Sequence, residues 1–300
     1  MSLTSKFEQS DRTLDRLQRD FERQLIISYQ KSLKEIRGQL AVAYEKYGGS
    51  FAEMQKYNRL TNLERNIGKE IGKLTGKNAV TLRKGIGGAF QESYYRAGFT
   101  IETTAQAKLG FAQLSKKAIE ASIDNPLDRV GWLQRNRENQ ALLTRQMKQQ
   151  LTQSLIQGES FEQASRRIKK RMDVGATNVV RIAQTEMHRA QSAGRLGGLH
   201  QAASKGVVMK KVWVATLDSR TRDEHRDLDG STIELDDNFV SEEGKGQAPG
   251  QLGSASSDIN CRCSIVSVIN GYEPKLRRAR GEGVIPYTKY NDWKKNRIET

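Results

Sequence analysis

Lys211-Val212-Trp213-Val214-Ala215-Thr216 decides the fold class, because it is a clear strand pattern in a chain that reads as helix before it. A short run of β-branched and aromatic residues followed by polar turns is typical of a strand. A second strand pattern covers 261–268, and at Gly206 the sequence changes from helical periodicity to strand and turn patterns. The sequence therefore predicts an α+β fold: a long, mostly helical N-terminal part followed by a small α+β C-terminal module.

The first part of the chain has the periodicity of a long helix. Apolar residues recur at spacings of three and four over 14–44, which places them on one stripe between charged residues. Gly48-Gly49 is expected to end this helix, because glycine accepts the left-handed conformation that closes a helix. Ser50 and Glu53 then have the spacing of a capping box, which predicts the start of a second helix.

Further boundaries are expected where glycine or proline interrupts the pattern. We expect Gly76 to stop the second helix and the sequence 124–126, Asp-Asn-Pro, to form a turn. After a break at Gly158, a short basic helix is expected to end at Arg171. A further helix over 176–204 is rich in small residues, which predicts close packing against a neighbouring backbone.

These boundaries predict four segments in chain order. A basic helical region covers 1–125, and a second helical region covers 126–205. The α+β module covers 206–270, and a basic tail covers 271–300.

The formal net charge of +15 is unevenly distributed along the chain. Residues 207–270 hold 7 Lys+Arg and 11 Asp+Glu, a net of −4, whereas 271–300 hold 8 and 4, a net of +4. The remaining residues, 1–206, therefore carry +15. A basic surface of this kind attracts polyanions, of which nucleic acid is the commonest in cells. The alternative is a solvated helical surface that happens to be rich in lysine.

The sequence gives no reason to expect a membrane partner or secretion. Its longest strongly apolar runs, such as Leu25-Ile26-Ile27, are far shorter than the roughly 20 residues that span a bilayer. The first residues contain no apolar segment of the secretory kind. Cys261 and Cys263 lie too close in sequence to form a disulfide framework, so a reducing compartment is expected.

His225, Cys261 and Cys263 are a candidate metal site, because imidazole and thiolate are the ligands that zinc prefers. Two cysteines one residue apart on a strand point to the same face. Asp218 or Glu224 could supply a fourth ligand. The alternative is a small core in which the thiols pack as apolar groups and His225 donates a hydrogen bond to a carboxylate.

The same residues allow a catalytic hypothesis. Cys261 with His225 has the composition of a thiol nucleophile, and His225 with Asp218 that of a phosphodiester-cleaving site. We expect no second histidine beside them, because His188 and His200 fall in the helical part. The chain is therefore predicted not to be an enzyme, and an enzyme that acts on nucleic acid or protein through His225, Asp218 and Cys261 is the alternative.

A second polar cluster lies on the small-residue helix. Thr185, Glu186 and His188 bring polar groups to a helix that is otherwise suited to close packing. Hydrogen bonds from this cluster to the α+β module would fix how the two pack. A catalytic role for Glu186 is the sharper alternative.

The pattern of these residues resembles the signature of the phage Mu protein F-like domain, in head morphogenesis proteins of the SPP1 minor head type. The resemblance covers roughly residues 150–268. Its positions in the module are Trp213, Asp218, Arg220, Thr221, Arg222, His225, Leu228, Gly230, Asn260, Cys261, Arg262 and Cys263. Its positions in the preceding helix include Thr185, Glu186 and His188.

The resemblance implies a low-copy structural protein inside the phage head, present in the host cytoplasm during assembly. Such proteins associate with the portal protein and take part in procapsid assembly, and some bind double-stranded DNA or leave with it. Scaffold or major capsid protein would be further partners. Some relatives carry Cys-x-x-Cys where this chain has Arg222 and His225, which in them would complete a zinc site. A basic scaffold that binds DNA without a capsid role is the remaining hypothesis.

Overall fold

The computed structural model describes residues 3–105, 109–111, 113–124, 130–269, 276–279 and 283–286. Eight α-helices and seven strands lie in these ranges. The helices are α1 Leu3–Tyr47, α2 Phe51–Gln55, α3 Arg59–Ala105, α4 Lys116–Asp124, α5 Trp132–Ile156, α6 Phe161–Ala203, α7 Asp223–Asp227 and α8 Ala255–Asp258. The strands are β1 Met209–Val214, β2 Thr232–Glu234, β3 Phe239–Ser241, β4 Gly244–Gly246, β5 Ser264–Ile269, β6 Leu276–Ala279 and β7 Gly283–Pro286. The predicted α+β class is confirmed.

Several predicted helix ends are confirmed by their backbone geometry. Gly48 has φ +64°, and its N–H donates to the Tyr44 carbonyl, so glycine closes α1 as expected. The Ser50 hydroxyl accepts from the backbone N–H of Glu53 at the start of α2. At the start of α6, the Ser160 hydroxyl accepts from the backbone N–H of Gln163, whose side chain accepts from the N–H of Ser160. This reciprocal pair is a complete capping box.

Two predicted interruptions are wrong. Helix α3 runs through Gly76, and α6 continues past Arg171 to Ala203. A glycine inside a helix costs only about 1 kcal/mol relative to alanine. In α3 the buried row that includes Ile71, Leu74 and Leu82 outweighs that cost. Residues 125 and 126 of the predicted turn at 124–126 lie outside the described residues, so the turn stays a prediction.

The chain forms two compact units, each built from segments that are far apart in sequence. The mixed unit combines 1–19, 85–131 and 184–300, and the helical unit combines 20–84 and 132–183. The long helices α1, α3 and α6 contribute to both units. The division into the four segments 1–125, 126–205, 206–270 and 271–300 stays a prediction.

The helical unit buries apolar rows and a small amide network. Asn139 lies at its centre and donates to the hydroxyl of Tyr29 and to the carbonyl of Gly175, both at 3.0 Å. Its own side-chain oxygen accepts from Asn178 at 3.1 Å. Burial raises the pKa of Tyr29 to about 12, so this hydroxyl stays protonated. Uncharged hydrogen-bonding groups thus occupy the interior of this unit.

The mixed unit is built on a three-stranded antiparallel sheet in the order β2-β1-β5. In its register, Trp213 of β1 lies opposite Ile265 of β5, and Val212 lies opposite Val266. Trp213 is fully buried, and its ring packs edge-to-face against Phe239 with centroids 5.1 Å apart. Strands β3 and β4 form a separate hairpin pair, as do β6 and β7.

Small residues allow α6 to approach α3 closely within the mixed unit. A Cβ added at Gly194 would lie 2.2 Å from the carbonyl oxygen of Phe90, and one at Gly198 would lie 2.7 Å from the Cβ of Ala97. The Ser93 hydroxyl donates to the Gln191 carbonyl at 2.7 Å across the same contact. The close backbone approach predicted for this helix is confirmed, and α6 carries polar side chains to the site described below.

Among the described helices, none offers the long apolar stretch that crossing a bilayer requires.

Candidate functional site

The structure brings His225, Cys261 and Cys263 together in the interior of the mixed unit. Nδ1 of His225 lies 3.4 Å from Sγ of Cys263 and 3.9 Å from Sγ of Cys261. The three ligand atoms all lie within 4.8 Å of one another. Each residue is 3% exposed or less, so the cluster is shielded from water.

His225 is held in place by its own helix and by an aromatic ring. It lies in α7, whose preceding residue, Arg222, donates to the carbonyls of Ser257 at 3.1 Å and Ile259 at 2.6 Å. These bonds tie the start of α7 to the loop that leads into the cysteines. The Trp213 indole packs edge-to-face on the imidazole, with centroids 5.5 Å apart. The sequence therefore fixes the imidazole beside the thiols from two directions.

The pKa values of the two neighbouring thiols are shifted in opposite directions. Hydrogen bonding from Cys263, with contributions from His188 and His225, holds the pKa of Cys261 well below its usual value. Burial raises the pKa of Cys263 well above its usual value, and the neighbouring Cys261 raises it further. Each thiol therefore shifts the pKa of the other, and the two shifts have opposite directions.

His188 interacts with Cys261, so the expectation that no second histidine lies nearby is wrong, although His188 is not one of the three residues whose ligand atoms lie within 4.8 Å of one another. It projects from α6, and its interaction with Cys261 contributes to that thiol's low pKa. Nε2 of His188 is buried and has no hydrogen-bond partner, and the same is true of Nε2 of His225. His200 lies elsewhere in the mixed unit, with Nδ1 3.4 Å from a carboxylate oxygen of Asp236.

The two acidic residues considered as a fourth ligand have other partners. The Asp218 carboxylate forms a two-pronged ion pair with Arg262, including a 2.7 Å bond from Nη2, and accepts from the Arg220 backbone N–H at 2.9 Å. Hydrogen bonding to Arg262 is the main reason that the pKa of Asp218 is strongly lowered. Glu224 accepts from the Ser257 hydroxyl at 3.3 Å. Among the described residues, neither joins the group of candidate metal ligands.

A buried ion pair lies on α6 close to His188 in sequence. Arg189 donates to one oxygen of Glu186 through Nε at 3.0 Å and Nη2 at 2.7 Å, and the two side chains are 4% and 0% exposed. Burial lowers the pKa of Arg189 to about 10. Asp258, whose pKa is raised by burial, accepts from the backbone N–H groups of Leu252 and Gly253, both at 2.9 Å. Glu186 is therefore a buried counter-ion of Arg189.

Thr185 connects α6 directly to the cysteine-bearing loop. Its hydroxyl accepts from the backbone N–H of Asn260 at 3.2 Å. Asn260 adopts φ +57°, which turns the chain just before Cys261. The loop that presents the thiols is therefore anchored to the helix that presents His188.

The other positions of the signature fix turns around the sheet. The Gly230 backbone N–H donates to the Trp213 carbonyl at 2.9 Å, and the φ of Gly230 is +78°. Leu228 is buried in the same core, and the Thr221 hydroxyl donates to the Thr216 carbonyl. Arg220 is exposed. These residues build the frame that holds α7 against the strands.

The basic tail falls largely outside the described residues. Of 271–300, the structure describes the backbone of β6 and β7, which pair in antiparallel register with Arg277 opposite Ile285.

Comparison with known proteins identifies the family. The family described as Phage Mu protein F like protein matches residues 145–266, which include the whole candidate site. The Minor head protein GP7 of Bacillus phage SPP1 is 34% identical over 300 residues, covering 97% of this chain and 97% of that protein. The chain therefore belongs to the Mu protein F-like family of phage minor head proteins. As a bacteriophage head protein, it is a component of the virion. No solved structure matches the chain.

A second relative corrects one expectation. The NAD(+)--arginine ADP-ribosyltransferase EFV of Enterococcus faecalis is 26% identical over 306 residues, covering 99% of this chain but 62% of that protein. The prediction that the chain is not an enzyme is contradicted, because nearly all of it is similar to a protein with an enzyme's name. Family membership therefore gives no ground for excluding catalysis. In the alternative catalytic set, the structure brings His225 and Cys261 together but pairs Asp218 with Arg262.

Proposed function

We propose that this minor head protein associates with the portal protein and with double-stranded DNA inside the phage head, during procapsid assembly and genome delivery. The observation that carries the proposal is the similarity to a minor head protein along nearly the whole of both chains. The DNA part of the proposal rests, in addition, on where the positive charge lies in the fold.

The helical unit holds most of the net charge. Its two segments, 20–84 and 132–183, contain 23 Lys+Arg and 11 Asp+Glu, a net of +12 of the chain's +15. The mixed unit holds the remaining 27 and 24, a net of +3. Charge concentrated in one compact unit produces a stronger local potential than the same charge spread over the whole chain. This supports the helical unit as the part that meets DNA.

Four exposed lysines on α3 form a row along one side of this unit. At 100° per residue, Lys69, Lys73, Lys77 and Lys84 fall within an arc of about 80°, and they span about 22 Å of helix axis. Glu70 is the only acidic residue between the first and last of them in sequence; it is mostly buried, accepts from Ser32 at 2.8 Å and lies 3.9 Å from Nζ of Lys73. One DNA strand presents a phosphate about every 3.4 Å of axis, so a row of this length faces several phosphates.

DNA binding is tested by the salt dependence of affinity for a double-stranded fragment. We expect a steep fall of affinity with salt, because neutralised phosphates release counterions. Replacing Lys69, Lys73 and Lys77 by Gln should reduce the slope by about 0.9 for each lysine that contacts a phosphate. The matched control removes the same charge from exposed lysines of the mixed unit, through K116Q, K117Q and K205Q. Equal losses in the two variants, or none in the first, would contradict a role for the row.

Portal association is tested separately with the purified full-length chain. Mixed at micromolar concentration with the portal protein of the same phage, the chain should co-migrate with it in size-exclusion chromatography. The protein should also be present in isolated procapsids. Its absence from procapsids, together with intact DNA binding, would instead favour a basic DNA scaffold without a capsid role.

A further inference from the structure

We propose that His188, His225, Cys261 and Cys263 bind one zinc ion in a closed, four-ligand structural site inside the mixed unit. The inference is independent of portal and DNA association. It rests on the position of the ligand atoms, on the unpartnered Nε2 of His188 and on the charge balance of a buried site.

The spacing of the ligand atoms fits tetrahedral zinc. With Zn–S bonds of about 2.3 Å and Zn–N bonds of about 2.0–2.1 Å, tetrahedral angles place a sulfur and a nitrogen ligand about 3.6 Å apart. The observed separations from His225 Nδ1 are 3.4 Å to Cys263 and 3.9 Å to Cys261. Both sulfur–nitrogen separations therefore lie within about 0.3 Å of the tetrahedral value.

His188 supplies the fourth ligand. It interacts with Cys261 from α6, whereas the other three ligands come from α7 and the loop before β5. Its imidazole nitrogens are not within 4.8 Å of all three other ligand atoms, so its side chain has to move inward to reach the ion. Nε2 of His188 is buried without a hydrogen-bond partner, which is costly for a polar atom unless something binds it. Asp218 already binds Arg262, so the carboxylate does not compete for this position.

The ligand set also solves the charge problem of a buried cation. Two thiolates and two neutral imidazoles balance the two positive charges of Zn²⁺, so the bound site is neutral overall. Binding displaces the remaining thiol protons, which leave to solvent. A neutral site avoids the large cost of an uncompensated ion in an apolar interior.

Four protein ligands leave no open position, which is the mark of a structural site and not of a catalytic one. The ion would join three parts of the fold: α6 through His188, α7 through His225, and the loop before β5 through Cys261 and Cys263. Zinc would thereby tie the small sheet to the helix on which it packs.

The test uses the full-length chain, purified under reducing conditions and supplied with Zn²⁺ or Co²⁺. We expect one equivalent of zinc per chain by elemental analysis. With Co²⁺ we expect the intense d–d bands of tetrahedral coordination and a thiolate-to-cobalt charge-transfer band. H188Q should weaken zinc affinity at least about tenfold, since even the loss of an outer-shell partner costs that much. The matched control is H200Q, the same change on the same helix, and its affinity should equal that of the wild type.

Two results would overturn the proposal. If the wild-type chain binds no stoichiometric metal, the thiols pack with His225 without an ion. If H188Q keeps the wild-type cobalt spectrum and zinc affinity, His188 is not a ligand. Circular dichroism of H188Q guards against misfolding. A chelator should lower the melting temperature of the wild type and of H200Q but change that of C261S/C263S little. If the chelator changes the melting temperature of all three proteins equally, a structural ion is contradicted.

Discussion

The two compact units differ in where they put their charges. The helical unit carries a net of +12, and its buried polar side chains are all uncharged: Ser32, Asn78, Asn136, Asn139, Ser154 and Ser165. The mixed unit carries +3, and among the described residues it holds every buried side chain of an ionisable acidic or basic type. These are Glu8, Glu186, Arg189, Arg195, Lys211, His225, Asp229 and Asp258.

This difference separates two ways of using polar residues. Exposed charge costs no desolvation and creates a long-range potential, which suits a surface that attracts a polyanion. Buried charge is costly unless each group has a partner, and such groups favour one arrangement of the surrounding elements. The helical unit therefore has the properties of a binding surface, and the mixed unit those of a precisely assembled module.

The largest expected effect is at the buried ion pair of the mixed unit. E186Q removes the carboxylate that is hydrogen-bonded to Arg189 and leaves Asp258 as the acidic group that still acts on the buried guanidinium. We expect a loss of about 3–5 kcal/mol in the free energy of unfolding, measured by denaturant titration. The control is D173N, which breaks an exposed ion pair with Lys169 in the helical unit and should cost about 0–1 kcal/mol. Similar costs for the two variants would erase the contrast between the units.

Replacing Lys211 is expected to stabilise the protein, in contrast to E186Q. It is 0% exposed, its Nζ has no hydrogen-bond partner, and burial lowers its pKa to about 8. Because the folded pKa lies below the unfolded value of 10.5, stability should rise between pH 8 and pH 10.5 and fall as the pH drops through 8. K211M should stabilise the protein by about 1–3 kcal/mol at pH 7 and flatten this pH dependence.

The measurement for Lys211 is the unfolding midpoint of both proteins across this pH range. K210M, on the same strand but with an exposed ion pair to Glu234, is the control and should keep the wild-type pH dependence. If K211M destabilises the protein at pH 7, its ammonium group has a partner that matters more than its burial.

An effect of the same size as that of K211M, but destabilising, is expected at the amide centre of the helical unit. N139A leaves the Tyr29 hydroxyl, the Gly175 carbonyl and the Asn178 amide without their partner. We expect a loss of about 1–3 kcal/mol, less than for E186Q because no charge is left unpaired. Thermal unfolding of N139A beside exposed-site N62A measures this difference. A loss larger than that of E186Q would reverse the order of the two units.

Local signals predicted much of the fold. The pair Gly48-Gly49 and the caps at Ser50 and Ser160 act within one helical turn, so the sequence near them is sufficient to place helix ends. Gly76 looked like a similar signal but lies inside α3, because buried residues on either side hold the helix together. Tertiary packing decides whether a glycine ends a helix, as Gly48 does, or lies inside one, as Gly76 does. The local sequence carries no information about that packing.

Only part of the candidate site was predicted, because the sequence shows which residues are neighbours along the chain but not which distant residues meet in the fold. His225, Cys261 and Cys263 share a module and a recognisable spacing, so their meeting could be expected. His188 precedes His225 by 37 residues on a different helix, and no local pattern connects it to the thiols. The signal that pointed toward it was the cluster of polar residues among small ones on α6, where Thr185 meets the Asn260 backbone.

The separation of tasks between the units is tested most directly by measuring DNA affinity against salt concentration for two variants beside the wild type. The triple variant K69Q/K73Q/K77Q should show weaker binding and a shallower salt slope, with an unchanged melting temperature. C261S/C263S should keep the wild-type affinity and slope, although the two thiols of the proposed zinc site are removed. Wild-type DNA binding in the lysine variant, or its loss in the cysteine variant, would contradict the account.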